Sequence, residues 1–211
     1  MTDEASDRLT AAEPGVTRPA PSPIGRRVAR VVTEALTPAV LVAGICVAVA
    51  WQSGSVGWGI VSAVFASGVP VAYIVRGIRT GRFTDHHVTV REHRPAVIVA
   101  AAASVVVGLA VMVLLDAPRD LVALVVAMLA GLVLTFAVTR WWGKVSIHTA
   151  VAAGTATTLV LVFGPWLLLA WPFVGVIAWS RVALHEHTVA QTVVGVVLGA
   201  VAAGVVFPLV R

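Results

Sequence analysis

Residues 121–149 read LVALVVAMLAGLVLTFAVTRWWGKVSIHT, and this stretch decides the class of fold. Its first 18 residues carry no charge, and an α-helix needs about 17–25 such residues to cross a bilayer. Arg140, two tryptophans and Lys144 follow, which is the cationic and aromatic flank typical of a transmembrane helix at the membrane surface. Ser146 and His148 then stand at the start of the next apolar run, where polar groups indicate a functional site.

The composition of the whole chain indicates an integral membrane protein. Hydrophobic residues make up 59% of the 211 residues and charged residues only 12%, whereas soluble domains carry about 25% charged residues. The net charge of +5 does not indicate nucleic-acid binding, because the basic residues lie at the ends of apolar segments and form no single stripe. The single cysteine, Cys46, excludes a disulfide framework and a cysteine-based metal site.

Seven apolar segments predict an all-α, polytopic membrane helix bundle with about six to seven transmembrane helices. They cover about residues 36–51, 56–78, 95–115, 121–138, 146–163, 166–179 and 188–210. Pro70 predicts a kink in the second segment, and Pro95 suits the first turn of the third. Residues 1–24 are polar and rich in alanine and proline, which predicts a disordered cytoplasmic tail before one transmembrane domain over residues 25–211.

The distribution of basic residues predicts the orientation of these segments. With seven spans, the tail and the loops 79–94, 139–147 and 180–187 share one side of the membrane. That side carries Arg26, Arg27, Arg30, Arg76, Arg79, Arg82, Arg91, Arg94, Arg140, Lys144 and Arg181, whereas the opposite side carries Arg119 and Arg211. Because positive charge stays in the cytoplasm, the three polar loops are predicted to face it.

The three loops hold nearly every group that could take part in a reaction. The guanidinium groups of Arg94 and Arg181 can bind phosphate oxygens through paired N–H groups. Predicted helix N-termini near Ser146 and residue 188 add unpaired N–H groups and the positive end of a helix dipole. The imidazoles of His148 and His187 can supply one nucleophile and one general acid. The pattern predicts a phosphate site at the membrane surface that supports phosphoryl transfer.

These clusters resemble the three signature motifs of the type-2 phosphatidic acid phosphatase superfamily, the integral-membrane lipid phosphatases. The family motifs are Lys-x6-Arg-Pro, Pro-Ser-Gly-His and Ser-Arg-x5-His-x3-Asp. The matching residues, in that order, are Arg94-Pro95; Ser146 and His148; and Ser180-Arg181 with His187. The resemblance covers about residues 80–205 and identifies the chain as a divergent member.

The chain departs from the family motifs at four positions. His87 stands in place of the lysine, Val145 in place of the proline, Ile147 in place of the glycine and Gln191 in place of the aspartate. Arg91, one helical turn before Arg94, is expected to supply the missing cation. Gln191 is expected to accept a hydrogen bond from Nδ1–H of His187, although an amide lacks the negative charge that would stabilise an imidazolium.

The resemblance implies a hydrolase that works through a phosphohistidine, with no metal and no cofactor. His187 is the implied nucleophile, His148 the implied proton donor, and Gln191 the residue that supports the nucleophile. The implied phosphate-binding residues are Arg91, Arg94, Ser146, Arg181, His87 and Lys144. The implied substrate is a phosphate monoester or diphosphate on a phospholipid or a polyprenyl (isoprenoid) chain whose tail stays in the bilayer.

Other interpretations stay open from the sequence. A catalytically inactive relative could serve as a lipid-binding or structural membrane subunit, which the loss of the aspartate at Gln191 favours. A small transporter could use the same basic cavity. Asp85, His87 and Glu92 could bind a metal, but their spacing is not that of ligands on one helix face. The sequence leaves the oligomeric state open.

Overall fold

The computed structural model describes residues 22–81 and 94–211. Across these two ranges the chain forms eight helices and no strand, which confirms the predicted all-α fold. They are α1 (Pro23–Ala35), α2 (Pro38–Gln52), α3 (Val56–Arg79), α4 (Arg94–Leu114), α5 (Arg119–Trp141), α6 (Ile147–Phe163), α7 (Trp171–Ala183, after a 3-10 turn at Pro165–Ala170) and α8 (Val189–Val210). Helix α1 begins within the stretch predicted as a tail, and residues 1–21 of that stretch lie outside the description.

Most of these helices are long and apolar enough to cross a membrane. Five spans meet both conditions: α3, α4, α5, α8 and the segment Pro165–Ala183 that ends in α7. Helices α1 and α2 form a sixth if the pair, bent by 46°, counts as one span. Helix α6 is apolar and has 17 residues, the lower end of the length that crosses a bilayer. The chain is therefore an integral membrane protein, and its sixth segment is longer than the predicted 166–179.

The bend between α1 and α2 replaces the simple first segment predicted from residue 36. Thr37 caps α2 by accepting a hydrogen bond from the N–H of Val40 (3.3 Å), and Pro38 occupies the first helical position. Proline suits that position because the N–H it lacks would have no helical partner there. Helix α1 carries three arginines, Arg26, Arg27 and Arg30. It packs on α7, where Oγ1 of Thr33 lies 3.0 Å from Oγ of Ser180.

Prolines inside α3 and α8 are accommodated by wide helical turns. A π turn at Val64–Gly68 precedes Pro70, and another at Ala202–Val206 precedes Pro208. Proline cannot donate to the preceding turn, and its ring clashes with the carbonyl four residues earlier, so a widened turn relieves both problems. In α3 the hydroxyl of Ser104 on α4 donates to the carbonyl of Phe65 (2.6 Å), which gives that carbonyl a partner within the membrane. The kink predicted at Pro70 thus takes the form of a π turn.

Hydrogen bonds fix which helix ends lie together. At one end, Nζ of Lys144 donates to the carbonyl of Glu186 (2.6 Å). At the other, Arg211 donates to Oδ1 of Asp120 (2.9 Å) and to the carbonyl of Leu161 (3.2 Å). We call these the basic end and the far end. Helices α5 and α7 finish at the basic end and α6 and α8 begin there, so the loops 142–146 and 184–188 meet as predicted.

The two ends differ in what joins the helices. The larger cluster of buried apolar side chains lies towards the far end, contributed by α2, α4, α5 and α8, and includes Val49, Met112, Leu121 and Phe207. A smaller apolar cluster joins α6 to α7. At the basic end, hydrogen bonds from α6 to backbone carbonyls of α8 are added to this apolar packing.

Close packing of α6 against α8 brings their N-termini side by side. A Cβ on Gly199 would lie 1.9 Å from the carbonyl oxygen of Ala150, and one on Gly195 would lie 2.3 Å from Oγ1 of Thr149. Only glycine fits at either position, because the backbone of α8 touches that of α6. The small-residue pair Gly195 and Gly199 thus serves packing within one chain.

Candidate phosphate site at the basic end

The loop after α7 has its shape set by the end of that helix. The carbonyl of Arg181 accepts hydrogen bonds from the N–H groups of Glu186 (3.1 Å) and His187 (3.2 Å), and the carbonyl of Val182 accepts one from His185 (3.0 Å). This is a Schellman helix end, in which one residue takes the left-handed conformation. His185 has that conformation, with φ 56°. The fixed loop explains why an arginine and a histidine six positions apart end up at one site.

A capping box orients the imidazole of His187. Thr188 caps α8 by accepting from the N–H of Gln191 (3.3 Å), and Oε1 of Gln191 accepts from the N–H of Thr188 (3.2 Å). The same oxygen lies 3.2 Å from Nδ1 of His187. An amide oxygen only accepts, so Nδ1 carries a proton, and in the neutral ring Nε2 then bears the lone pair. The hydrogen bond expected between His187 and Gln191 is present, and it defines the tautomer that a nucleophilic histidine needs.

Arg181, with 4% of its surface exposed, is the most deeply buried charge among the described residues of the basic end. Its Nη2 forms an ion pair with Oε2 of Glu186. Nε and Nη1 of the same guanidinium are buried, and neither has a hydrogen-bond partner within residues 22–81 and 94–211. Buried N–H groups without partners cost free energy of about 1–3 kcal/mol each. The guanidinium therefore has donor capacity that the described part of the chain does not use.

A polar pocket of about 340 Å³ opens in front of this loop. It is lined by Lys144, Val182, His185, Glu186, His187, Thr188 and Gln191. Lys144 and His187 contribute a cation and an imidazole, and the pocket also faces the N-terminus of α8, whose dipole favours anions. Arg181 is not part of the lining, but it forms its ion pair with Glu186, which is. The pocket is suited to a small anion.

The N-terminus of α6 stands beside that of α8. Ser146 is fully buried, its Oγ accepts from the N–H of Thr149 (3.5 Å), and its N–H donates to the carbonyl of Gln191 (3.3 Å). Oγ1 of Thr149 donates to the carbonyl of Thr192 (3.0 Å). His148 lies in this first turn with its side chain buried. Ser146 thus acts as a helix cap that joins α6 to the loop of His187, while its predicted contact with phosphate stays a prediction.

A second, apolar cavity of about 380 Å³ lies in the half of the bundle near the basic end. Residues of α2, α3, α4, α5 and α8 line it together with one face of α6, which contributes Ile147, Ala150 and Val151. Ile147, which stands where the resembling family has glycine, is thus a lining residue of this cavity. The basic half of the bundle therefore holds one polar pocket and one apolar cavity with separate linings.

The structure brings most of the predicted site residues to one end of the bundle. Lys144, His187 and Gln191 line one pocket, Arg181 lies behind it, and Ser146 and His148 are on the adjoining helix turn. His87 and Arg91 lie outside the described residues, as do Asp85 and Glu92 of the metal-site alternative. Arg94 begins α4, but its side chain also lies outside the description.

Glu186 is the residue that the sequence reasoning missed. It is the only acidic residue between positions 121 and 211, and it lies directly before His187. A lone carboxylate in a basic loop was the available signal. What the sequence did not reveal is its partner, because the Schellman end turns Glu186 back onto the buried Arg181.

The chain was compared with known proteins at three levels. No protein-family model matches it, and neither a curated protein nor a solved structure does. The function is therefore argued from the geometry of the site together with the motifs in its loops.

Proposed function

We propose that this chain is a metal-independent lipid phosphate phosphatase that acts at the membrane surface through a phosphohistidine. The observation that carries the proposal is the hydrogen bond from Nδ1–H of His187 to Gln191, in a pocket that also holds Lys144 and adjoins Arg181. The tautomer that it fixes leaves the lone pair on Nε2, as nucleophilic attack on phosphorus requires. The three motifs that resemble those of the membrane lipid phosphatases support the same reaction.

The reaction has two steps. His187 is the nucleophile in the first and the leaving group in the second, and His148 is the general acid in the first and the general base in the second. Nε2 of His187 forms a bond to phosphorus while the bond to the leaving oxygen breaks, and His148 gives that oxygen a proton. His148 then takes a proton from water, whose oxygen attacks phosphorus and releases His187 and inorganic phosphate. The charge on the phosphoryl oxygens is balanced by Arg181, Lys144 and, as the motif implies, Arg91 and Arg94. Such charge stabilisation supplies much of the rate in phosphoryl transfer.

The substrate that suits this arrangement is an amphiphile with a phosphate or diphosphate head. The head fits the polar pocket, and the tail stays in the surrounding lipid. Ligand cavities typically measure about 300–1,000 Å³, and a pocket of about 340 Å³ lies within this range. Phospholipid phosphates and polyprenyl phosphates both meet this description.

Phosphate release from purified protein in detergent tests the proposal. The panel comprises phosphatidic and lysophosphatidic acids, farnesyl phosphate and farnesyl diphosphate, with wild type, His187→Ala and His148→Ala. Asp120→Asn, at the far end, is the folded control. We expect wild type and the control to release phosphate and both histidine variants to lose activity. Acid-labile phosphate on the protein should form in wild type and be lost in His187→Ala.

Silence of wild type and both variants across the whole panel overturns the enzyme proposal. Phosphate or lipid binding without turnover would instead favour a lipid-binding subunit, and uptake of the lipid phosphate into proteoliposomes would favour a transporter. These outcomes separate the three functions by what is measured: product, bound ligand or transported ligand.

The site is proposed to face the cytoplasm, because the basic end carries most of the positive charge of the described helices. A reporter fused after Arg211 should then lie outside the cytoplasm. A reporter that is active in the cytoplasm would place the site on the opposite face and leave its chemistry unchanged.

A further inference from the structure

We propose that Glu186 is an internal anion that occupies Arg181 in the absence of substrate and must leave it before phosphate binds. This inference rests on the proposed phosphate site and adds a specificity-determining residue to it. Its starting point is the ion pair between Nη2 of Arg181 and Oε2 of Glu186. A carboxylate and a phosphate offer a guanidinium similar pairs of oxygens, so the two compete for the same donors.

The position of Glu186 makes the competition direct. Glu186 lines the polar pocket and Arg181 does not, although the two side chains are in contact. Glu186 is thus a lining residue whose carboxylate holds an arginine that the lining does not include. Movement of this one side chain into solvent extends the pocket to Nη2 and brings the unpartnered Nε and Nη1 atoms closer to a ligand.

The burial of the two partners decides which of them moves. The side chain of Arg181 is 5% exposed and that of Glu186 is 38% exposed. The partly exposed carboxylate of Glu186 can replace its contact with the guanidinium by hydrogen bonds to water. The buried guanidinium of Arg181 cannot, because water does not reach it. The backbone of Glu186 stays in place through its N–H to Arg181 and its carbonyl to Lys144, so only the side chain needs to rotate.

The charge at the site then matches the ligand. With Glu186 in place, Arg181, Lys144 and Glu186 carry a net charge of +1 among the described groups, since 2 − 1 = 1. With the carboxylate in solvent, Glu186 no longer offsets the positive charges of Arg181 and Lys144, and these two charges match the two negative charges of a phosphate monoester. An uncharged headgroup would not displace Glu186, so the residue favours doubly charged phosphates over neutral ligands.

Binding of inorganic phosphate to the purified full chain in detergent, measured by calorimetry at constant ionic strength, tests the inference. Glu186→Gln keeps the size of the side chain and removes its charge, and we expect its dissociation constant to fall about tenfold. Glu186→Asp keeps the charge and shortens the side chain by one methylene, which weakens its contact with Arg181, so we expect a fall of about threefold. Glu34→Gln removes the same charge from an exposed position on α1 and should bind as wild type does.

Each outcome decides a different point. Wild type that binds phosphate as tightly as Glu186→Gln, or more tightly, overturns the role of Glu186 and leaves the phosphate site intact. Tighter binding in Glu186→Gln with no change in Glu186→Asp shows general charge repulsion, which also overturns the displacement. Failure of both wild type and Glu186→Gln to bind phosphate overturns the proposed function along with it.

A double variant guards against a merely structural effect. In Arg181→Gln the guanidinium is absent, so adding Glu186→Gln should no longer tighten phosphate binding. If the tightening persists without Arg181, the two residues do not compete and the inference fails. Thermal unfolding of each variant establishes that the compared proteins are folded.

Discussion

Two arginine–carboxylate pairs, one at each end of the bundle, differ in what surrounds them. At the far end, Arg211 contacts Asp120, the carbonyl of Leu161 and the ring of Phe207, whose centroid lies 5.7 Å from the guanidinium carbon. At the basic end, the buried Arg181 has one carboxylate partner and two buried nitrogens without partners in the described chain. The far pair joins the ends of three helices. The basic pair leaves an arginine with N–H groups that the described residues do not use.

The two ion pairs also differ in which side chain is exposed to solvent. In the far pair the arginine is 41% exposed and the aspartate 20%, whereas in the basic pair the arginine is 5% exposed and the glutamate 38%. An exposed arginine can satisfy its remaining N–H groups with water, but a buried one cannot. The same two residue types therefore serve structure at one end and, in our proposal, ligand binding at the other.

The largest expected difference between the two ends comes from changing each arginine to lysine. Arg181→Lys keeps the charge but loses the planar fork, and we expect phosphate release to fall by about 10²–10³-fold, the usual cost of losing one transition-state donor. Arg211→Lys should leave the rate unchanged, because it lies at the opposite end. Steady-state rates on the most active lipid phosphate of the panel measure both. Equal losses in the two variants would mean that Arg181 has no special role.

A smaller effect is expected at Gln191, which joins the helix cap to the nucleophile. Gln191→Leu removes both hydrogen bonds of Oε1, and a single bond is worth about 0.5–1.5 kcal/mol, so the rate should fall up to about tenfold. Gln191→Glu keeps the oxygen and adds a negative charge beside the imidazole, so its rate should equal or exceed that of wild type. A Glu variant slower than the Leu variant would contradict this role.

The far pair should affect stability and leave activity unaltered. Asp120→Asn and Arg211→Gln are each expected to lower the free energy of unfolding by about 0.5 kcal/mol, because the pair is partly exposed and screened by solvent. The double variant should lose less than the sum of the two, since both remove one interaction. Denaturant unfolding in micelles measures the coupling, and fully additive losses would show that the pair contributes nothing.

The smallest expected effect on stability concerns the left-handed backbone conformation of one residue at each end. His185 at the basic end (φ 56°) and Asp116 at the far end (φ 53°) are the non-glycine residues with positive φ among those described. His185→Gly should raise the unfolding temperature, by an amount that corresponds to about 0.5 kcal/mol, because glycine relieves the left-handed strain but loses more entropy. Asp116→Gly should gain less, since a short polar side chain tolerates this conformation better. A larger gain at Asp116 would reverse the comparison.

Much of the scaffold could be predicted because a bilayer imposes simple rules on sequence. Apolar runs of the required length become helices, since no other open structure satisfies the backbone in lipid. The predicted segments from residues 121 and 188 correspond to α5 and α8, and α6 begins one residue after the predicted start at residue 146. The break at Thr37 and the π turn before Pro208 were not predicted. A kink was predicted at Pro70, but its form as a π turn was not, because a proline indicates a disturbance without fixing its geometry.

The sequence predicted which residues form the candidate site better than it predicted which of them contact each other. The pairing of His187 with Gln191 was expected from the family motif that this loop resembles, and it is local because the two residues lie four positions apart. The pairing of Arg181 with Glu186 depends on where the Schellman end directs the loop, and the position of Ile147 depends on which face of α6 meets the apolar cavity. Neither follows from a pattern along the chain.

The sequence by itself determined that this protein is a helical membrane bundle with its cations gathered at one end. Hydrophobic length and the placement of charge are properties of single segments, and they act before any two helices touch. Only the tertiary structure decided that Gly195 and Gly199 bring two helix N-termini together, and that one buried arginine is held by an exposed carboxylate. Burial and competition between partners arise from packing, and packing exists only once the helices have met.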